Sequence, residues 1–407
     1  MTGVRSHPQT ILCIASFYKG HDFIRECRSQ GCRVVLMTRE KLRNAEWPLE
    51  CIDHLIVVPD KSEIEDYIFA VNDFSLSNRI DIVVALEEGD VITAARIRAH
   101  LAIAGMPTST ARTFRDKLWM RIKAGEAGIS QPRATLMLNY QNVGEFMQRV
   151  PPPWVIKPRA DASSIGIKIL HNSEEVWRIK DMLDARESLR ERSSYYLLEN
   201  YIAGDVYHVD SLISRERVVF ASVSKYGTPP LDVIQLGGVS TSHTLKYNSK
   251  DRKELQTINQ KLITALGLER GTTHAEFIKS PVDNSFHFLE VACRVGGAYT
   301  VEGVEAASGL NLWREWARIE ILNDSGSYKL PLVRKEFGGI AVSLAKEENP
   351  DTSAYDAPEI VFRAKKDWHV GLVLRSDNYD RLVKILEAYR SQLESDFTAV
   401  APQQERP

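Results

Sequence analysis

The chain has 407 residues, of which 43% are hydrophobic and 26% charged, and its formal net charge is −2. That is globular composition, with length for roughly two to four domains. A near-neutral chain without a basic block argues against a nucleic-acid partner. The apolar run ILCIASF is too short to span a bilayer and lacks the layout of a cleavable signal, so it reads as a first buried strand, and no membrane association is expected. The cysteines number five. Cys27 and Cys32 have no second pair or nearby histidine at zinc spacing, which points to buried thiols in a reducing, cytoplasmic setting.

Residues 1–112 alternate strand and helix patterns. TILCIAS, CRVVLMT, HLIVVP and DIVVAL are short β-branched runs of the kind found in buried parallel strands. HDFIRECRSQG, the REKLRNAEW stretch and SEIEDYIFAVNDFSLSN lie between them, and DVITAARIRAHLAIAG follows as an amphipathic helix. The pattern predicts a doubly wound α/β domain. It has no G-x-G-x-x-G, which speaks against a dinucleotide site there. Glu87, Glu88 and Asp90 fall at a strand end. They could bind a substrate amine, but solvated acids capping a helix are the expectation.

A second segment, 113–203, begins within a helix predicted over 111–130 that stops at Gly128. WVIKPR and GIKIL then form a strand–loop–strand unit, SEEVWRIKDMLDAR a helix with a serine cap, and YYLLENYI a closing strand. A third segment, 204–330, has the long strands VYHVDSLIS and RVVFASVSKYG joined by a tight turn. The helix DRKELQTINQKLITALG follows, then the hairpin HAEFIKSPVDNSFHFLEVA, then helices near 300–309 and 311–322. After the polar break NDSGSYKLP, residues 331–400 read as a C-terminal α+β subdomain of strands and one long helix.

The hairpin concentrates the chemistry. Strand residues two apart share a face. Glu290, Ala292 and Arg294 therefore point one way, Glu276 faces them across the hairpin, and His274 lines up with Glu276. Two carboxylates and a guanidinium on one surface suit a divalent ion that bridges nucleotide phosphates, with the arginine neutralising an oxyanion. The same pattern also suits an ordinary salt-bridged sheet face. VIKPRADASSIGIKI places Lys157 at a strand end before a loop of small residues. Its backbone N–H groups could wrap phosphate oxygens, or the segment is a plain hairpin with a flexible tip. In YLLENYIAG a carboxylate could meet an adenine amino group. Lys117 on its own reads as a solvated helix lysine.

Order adds information. DK-x-x-MR with an AGI-x-x-P end, VIKPR with its loop, LLENYI-x-G, YHVD, and the two-glutamate hairpin ending in R-x-GG succeed one another over roughly residues 80–325. In that order they resemble the ATP-grasp superfamily, and within it the carboxylate–amine ligases of the L-amino acid (dipeptide) ligase type. The resemblance implies an α/β and α+β multidomain chain, an ATP-grasp fold behind an N-terminal pre-ATP-grasp domain. It implies that Lys117 and Lys157 contact the α- and β-phosphates, and that Ser163, Ser164 and Gly166 form a flap over them. Glu199 would accept from the adenine amino group, with backbone contacts from Asn200 and Ile202. Glu276 and Glu290 would hold Mg²⁺ or Mn²⁺, and Arg294 would steady an acyl phosphate. His274 and Lys225 would lie near the γ-phosphate or the acceptor.

Two positions depart from the family. Ala292 occupies a site where an asparagine metal ligand is usual; the acid that usually binds the ribose falls at or next to Val206, where either Asp205 takes the role or ribose binding is weak. The implied activity is an ATP-dependent ligase joining a small-molecule carboxylate and an amine through an acyl phosphate, in a chain that could form a homodimer. A carboxylase of the biotin-carboxylase type and a catalytically weakened nucleotide-binding protein are the alternatives. Ala292 and the glycine-poor loop favour the last of these, and Lys157, Glu276, Glu290 and Arg294 weigh against it.

Overall fold

A computed structural model describes residues 8–161, 166–323 and 326–399. The β-branched runs near the start become β1 (Thr10–Ala15), β2 (Arg33–Arg39), β3 (His54–Val58) and β4 (Ile82–Ala85), with α1 (His21–Ser29), α2 (Ile64–Ser75) and α3 (Val91–His100) around them. The strands form a parallel sheet in the order β3-β2-β1-β4. Both faces are covered, as the continuous apolar strands require. One face, through Phe23 of α1, packs on Trp316, whose ring lies 5.0 Å away.

Next come α4 (Thr108–Thr113) and α5 (Lys117–Glu126). The single helix expected over 111–130 is therefore two. The break falls at Asp116, whose side chain accepts from the Leu118 N–H at 3.0 Å and so starts a new helix. The small lobe continues with β5 (Ala134–Leu136), α6 (Tyr140–Arg149), β6 (Trp154–Pro158), β7 (Lys168–Leu170), α7 (Ser173–Asp184) and β8 (Tyr196–Asn200). Its sheet order is β5-β8-β6-β7. The cap of α7 is Asn172, which accepts from the Glu175 N–H; Ser173 is already inside the helix.

The large lobe runs β9 (Asp205–Ser214), β10 (Arg217–Tyr226), α8 (Pro230–Leu236), β11 (Ser240–Thr244), α9 (Lys250–Leu266), β12 (Arg270–Lys279), β13 (Phe286–Ala292), α10 (Thr300–Ser308) and α11 (Leu312–Leu322). The C-terminal part adds β14 (Phe337–Leu344), β15 (Ile360–Arg363), β16 (His369–Ser376) and α12 (Tyr379–Asp396). These strands do not form a sheet of their own. They extend the large one, whose order is β13-β12-β9-β10-β11-β14-β16-β15. Phe277 and Phe288 are fully buried on one side of this sheet beneath α9, each contributing about 1.5–3 kcal/mol by leaving water. Among the described residues no helix is long and apolar enough to cross a membrane.

Candidate active site

β12 and β13 pair antiparallel with Glu276 opposite Glu290 and His274 opposite Ala292. Ala275, Phe277, Phe288 and Val291 enter the core. That alternation leaves the two glutamates on the other face, where they line a cleft of about 350 Å³. Tyr226 donates its hydroxyl to Glu276 Oε1 at 3.0 Å. Glu290 Oε2 lies 3.0 Å from Lys117 Nζ. Burial alone would raise the Glu290 carboxyl, but the charges of Lys117 and Lys157 outweigh it and hold it at about 2, so it is ionised at neutral pH.

Lys117 is the first residue of α5. Besides Glu290 it reaches the Asp161 carbonyl at 2.7 Å, at the base of the loop after β6. Asp116, its neighbour, pairs with Arg159 at the end of that strand. Helix start, loop base and hairpin are thereby tied together. Lys157 is buried and sits 2.7 Å from Glu199 Oε2. Glu199 is also gripped by Arg121, Nε to Oε1 at 2.8 Å. Burial would raise the Glu199 carboxyl, but Arg121 and then Lys157 bring it below its ordinary range. The expected partner was an adenine amino group; the side-chain partners in the structure are Arg121 and Lys157. Glu199 is only 2% exposed, and its oxygens pair with these two cations. Arg121 was missed, although its place one helical turn after Lys117 could have shown it. Asn200 spends its side-chain oxygen on the Arg133 N–H at 2.6 Å, and Ile202 lies past the end of β8. Gly204 follows because a Cβ there would stand 2.0 Å from the Lys279 carbonyl oxygen.

Arg294 extends into the cleft just beyond β13. Its Nη1 donates to the Val295 carbonyl at 2.7 Å and its Nη2 lies 3.5 Å from Glu88 Oε2, while its Nε is buried without a hydrogen bond. Ala298 and Tyr299 then take left-handed backbone angles, with φ of 50° and 63°, to turn the chain into α10. The expectation of solvated capping acids fails at Glu87, Glu88 and Asp90, all of which are buried. Asp90 accepts from the Ser16 N–H at 2.8 Å, and burial pushes its carboxyl up to about 6. Glu87 pairs with Lys19. Glu88 pairs with both Arg115 and Arg294. Their partners are distant in sequence, so no local pattern could mark them.

His274 is held through Nδ1 by Asp210 at 2.8 Å, and its Nε2 lies 3.5 Å from Glu276 Oε1. Burial would lower this imidazole, but Asp210 lifts it to about 10. Lys225 does not join the cluster. It pairs in register with Tyr207, on the core side of the sheet, and its ammonium sits 2.7 Å from Asp205. Tyr226, one residue on, takes the cleft-facing position instead. Asp205, the ribose candidate, is thus ion-paired to Lys225. Ser163 and Ser164 lie outside the described residues. Gly166 is exposed, with φ of 73°.

Two carboxylates are the oxygen donors a small divalent cation takes, and Mg²⁺ keeps several waters, so Ala292 does not disqualify the pair. The buried, unbonded Arg294 Nε suits an anion beside it. Residues 150–302 match the ATP-grasp domain family. The L-arginine-specific L-amino acid ligase of Bacillus subtilis is 21% identical over 272 residues, which make up 67% of this chain and 65% of that one. The chain thus spans a little less than two thirds of that relative's length. The solved L-amino acid ligase from Bacillus licheniformis superposes with a TM-score of 0.74 at 15% identity, covering 98% of this chain and 100% of its own. Biotin carboxylase from Campylobacter jejuni, solved as a β-γ-ATP complex, gives 0.67 at 14% identity, covering 93% and 90%. The chain has the ATP-grasp fold, residues 150–302 match the ATP-grasp domain family, and the chain is similar to the L-amino acid ligases.

Proposed function

We propose that the protein is an ATP-dependent carboxylate–amine ligase. The observation that carries this reading is the opposed pair Glu276 and Glu290 at one register position, with Lys117 and Arg294 beside them in a single cleft. ATP transfers its γ-phosphoryl group to a carboxylate oxygen, which gives an acyl phosphate and ADP. The amine nitrogen attacks the acyl carbon and loses a proton as the C–O bond to phosphate breaks. Hydroxide leaves poorly from a carboxylate; phosphate leaves readily. The protein's part is placement and charge. Lys117 and Lys157 face the phosphates, with Glu199 and Arg121 fixing Lys157. Glu276 and Glu290 would hold Mg²⁺, which neutralises phosphate charge when bound. Arg294 meets the oxyanion as it develops at the acyl carbon. The backbone of Asn200 and Ile202 borders the adenine, Gly166 ends the flap, and His274 faces the transferred group or the acceptor. A cytoplasmic setting and a homodimer belong to the same proposal.

The test follows ADP release with pairs of amino acids, then with bicarbonate, then without an acceptor. Release that depends on an amino-acid pair is expected. Release driven by bicarbonate would select the carboxylase reading, for which the likeness to biotin carboxylase speaks. No release under any condition would select a weakened nucleotide binder.

A further inference from the structure

Asp210 lies on β9 with no exposed surface, and the reaction described above makes no use of it. Its two oxygens are divided between two imidazoles. Oδ2 is 2.6 Å from His208 Nδ1 and Oδ1 is 2.8 Å from His274 Nδ1. An ionised carboxylate can only accept, so both Nδ1 atoms donate to it. His208 spends its other nitrogen on Ser242 Oγ at 2.7 Å. His274 keeps Nε2 for the cleft, where Glu276 Oε1 and the Tyr226 hydroxyl each stand 3.5 Å away. A hydrogen-bonded chain thus runs from β11 through β9 to β12 and ends beside a proposed metal ligand.

The surroundings keep this chain dry and fixed. A Cβ at Gly296 would stand 2.8 Å from Asp210 Oδ1 and 2.7 Å from Thr300 Cγ2. The glycine of R-x-GG therefore lets the segment after Arg294 close directly over the carboxylate. The donor atoms of His208, Asp210 and His274 lie within 4.8 Å of one another. Each Asp210 oxygen is nonetheless already at hydrogen-bond distance from one histidine nitrogen, an arrangement that orients rings.

Resting on the ligase reading, we propose that Asp210 is a positioning residue. It fixes the plane of His274 and holds the proton on its Nδ1, so that Nε2 alone faces the transferred group or the amine, while His208 and Ser242 hold Asp210 from behind. A carboxylate behind an active imidazole sets which nitrogen works, and loss of such a partner typically costs about 10–100-fold in activity.

The experiment is a double-mutant cycle read by steady-state kinetics. Asp210→Asn has one acceptor oxygen for two N–H groups. It should lower kcat by about 10–100-fold with little change in KM for ATP, which the lysines govern. On a His274→Ala background the same substitution should cost nothing further in kcat. An equal loss in both backgrounds would overturn the proposal. So would a lowered melting temperature with normal turnover per folded molecule. Because Asp210 is buried and Asp210→Asn could fail to fold, the wild-type protein supplies a second reading. Histidine-selective ¹⁵N NMR should show a proton on His274 Nδ1, and a ring protonated only at Nε2 would overturn the proposal. If no amino-acid pair releases ADP, the ligase reading fails, and the NMR result still decides the geometry on its own.

Discussion

Lys157 is a lysine kept where lysines are rarely found. It is buried, and burial pushes its ammonium down to about 8, with Glu199 pulling the other way and Arg121 adding to the fall. Below that pH it is charged and can hold a phosphate; above it the charge is lost. Nucleotide affinity measured by calorimetry should therefore fall as pH rises through about 8. Lys157→Ala should weaken binding by about ten- to a hundredfold at neutral pH. The stability term runs the opposite way. The unfolded chain keeps the proton up to the ordinary lysine value, so between the two pKa values this group's contribution to stability rises with pH. An affinity flat from pH 7 to 9.5 would remove Lys157 from the phosphate site. Glu290 supplies the companion test. Glu290→Gln loses the charge that balances Lys117 and a carboxylate oxygen for the proposed metal, so ADP release should vanish while far-UV circular dichroism stays unchanged. Turnover near wild type would reduce the hairpin to a salt-bridged sheet face.

At the scale of elements, β14 shows how closely the C-terminal strands are seated. A Cβ at Gly338 would stand 2.3 Å from the Gly303 carbonyl oxygen of α10; one at Gly339 would meet Leu386 of α12 at 2.5 Å. The strand is pressed between two helices, one on each face. Gly338→Ala should destabilise by about 1–3 kcal/mol, and Gly339→Ala by less, because a leucine tip can rotate and a backbone carbonyl cannot. Denaturant unfolding of the two variants would show the order, and a reversed order would contradict this packing. The same elements show what the sequence made legible. The β12–β13 hairpin could be read because its apolar residues alternate, and β1 to β4 because their apolar runs are unbroken. β11 escaped because STSHT carries no apolar run: Ser240 and Ser242 face the cleft and leave a strand without a hydrophobic signature. The misplacement of Lys225 was an error of parity, since Tyr226 has the cleft-facing phase.

At the scale of the whole molecule, one carboxylate joins the N-terminal domain to the proposed catalytic arginine. Glu88 follows the last strand of the first sheet. It pairs with Arg115, between α4 and α5, and with Arg294 at the end of the hairpin. Arg115 also donates to the Ala160 carbonyl at 2.8 Å, just beyond the end of β6. Three parts of the chain thus converge on a side chain with about a tenth of its surface exposed. Removing its charge takes this counter-ion from both Arg115 and Arg294, and a broken buried pair costs about 3–5 kcal/mol. Glu88→Gln should therefore displace Arg294 as well as loosen the domain contact. Turnover at saturating ATP should drop while the dissociation constant for ATP, for which Lys117 and Lys157 are the proposed determinants, stays close to wild type. Adding Arg115→Gln removes the excess positive charge and should restore part of the lost turnover. The paired measurement is melting temperature with turnover for the single and double variants. A single variant that melts earlier yet turns over normally would make Glu88 a structural joint only. Recovery of turnover in the double variant would show that the N-terminal domain acts on the cleft through the charge balance around Arg294.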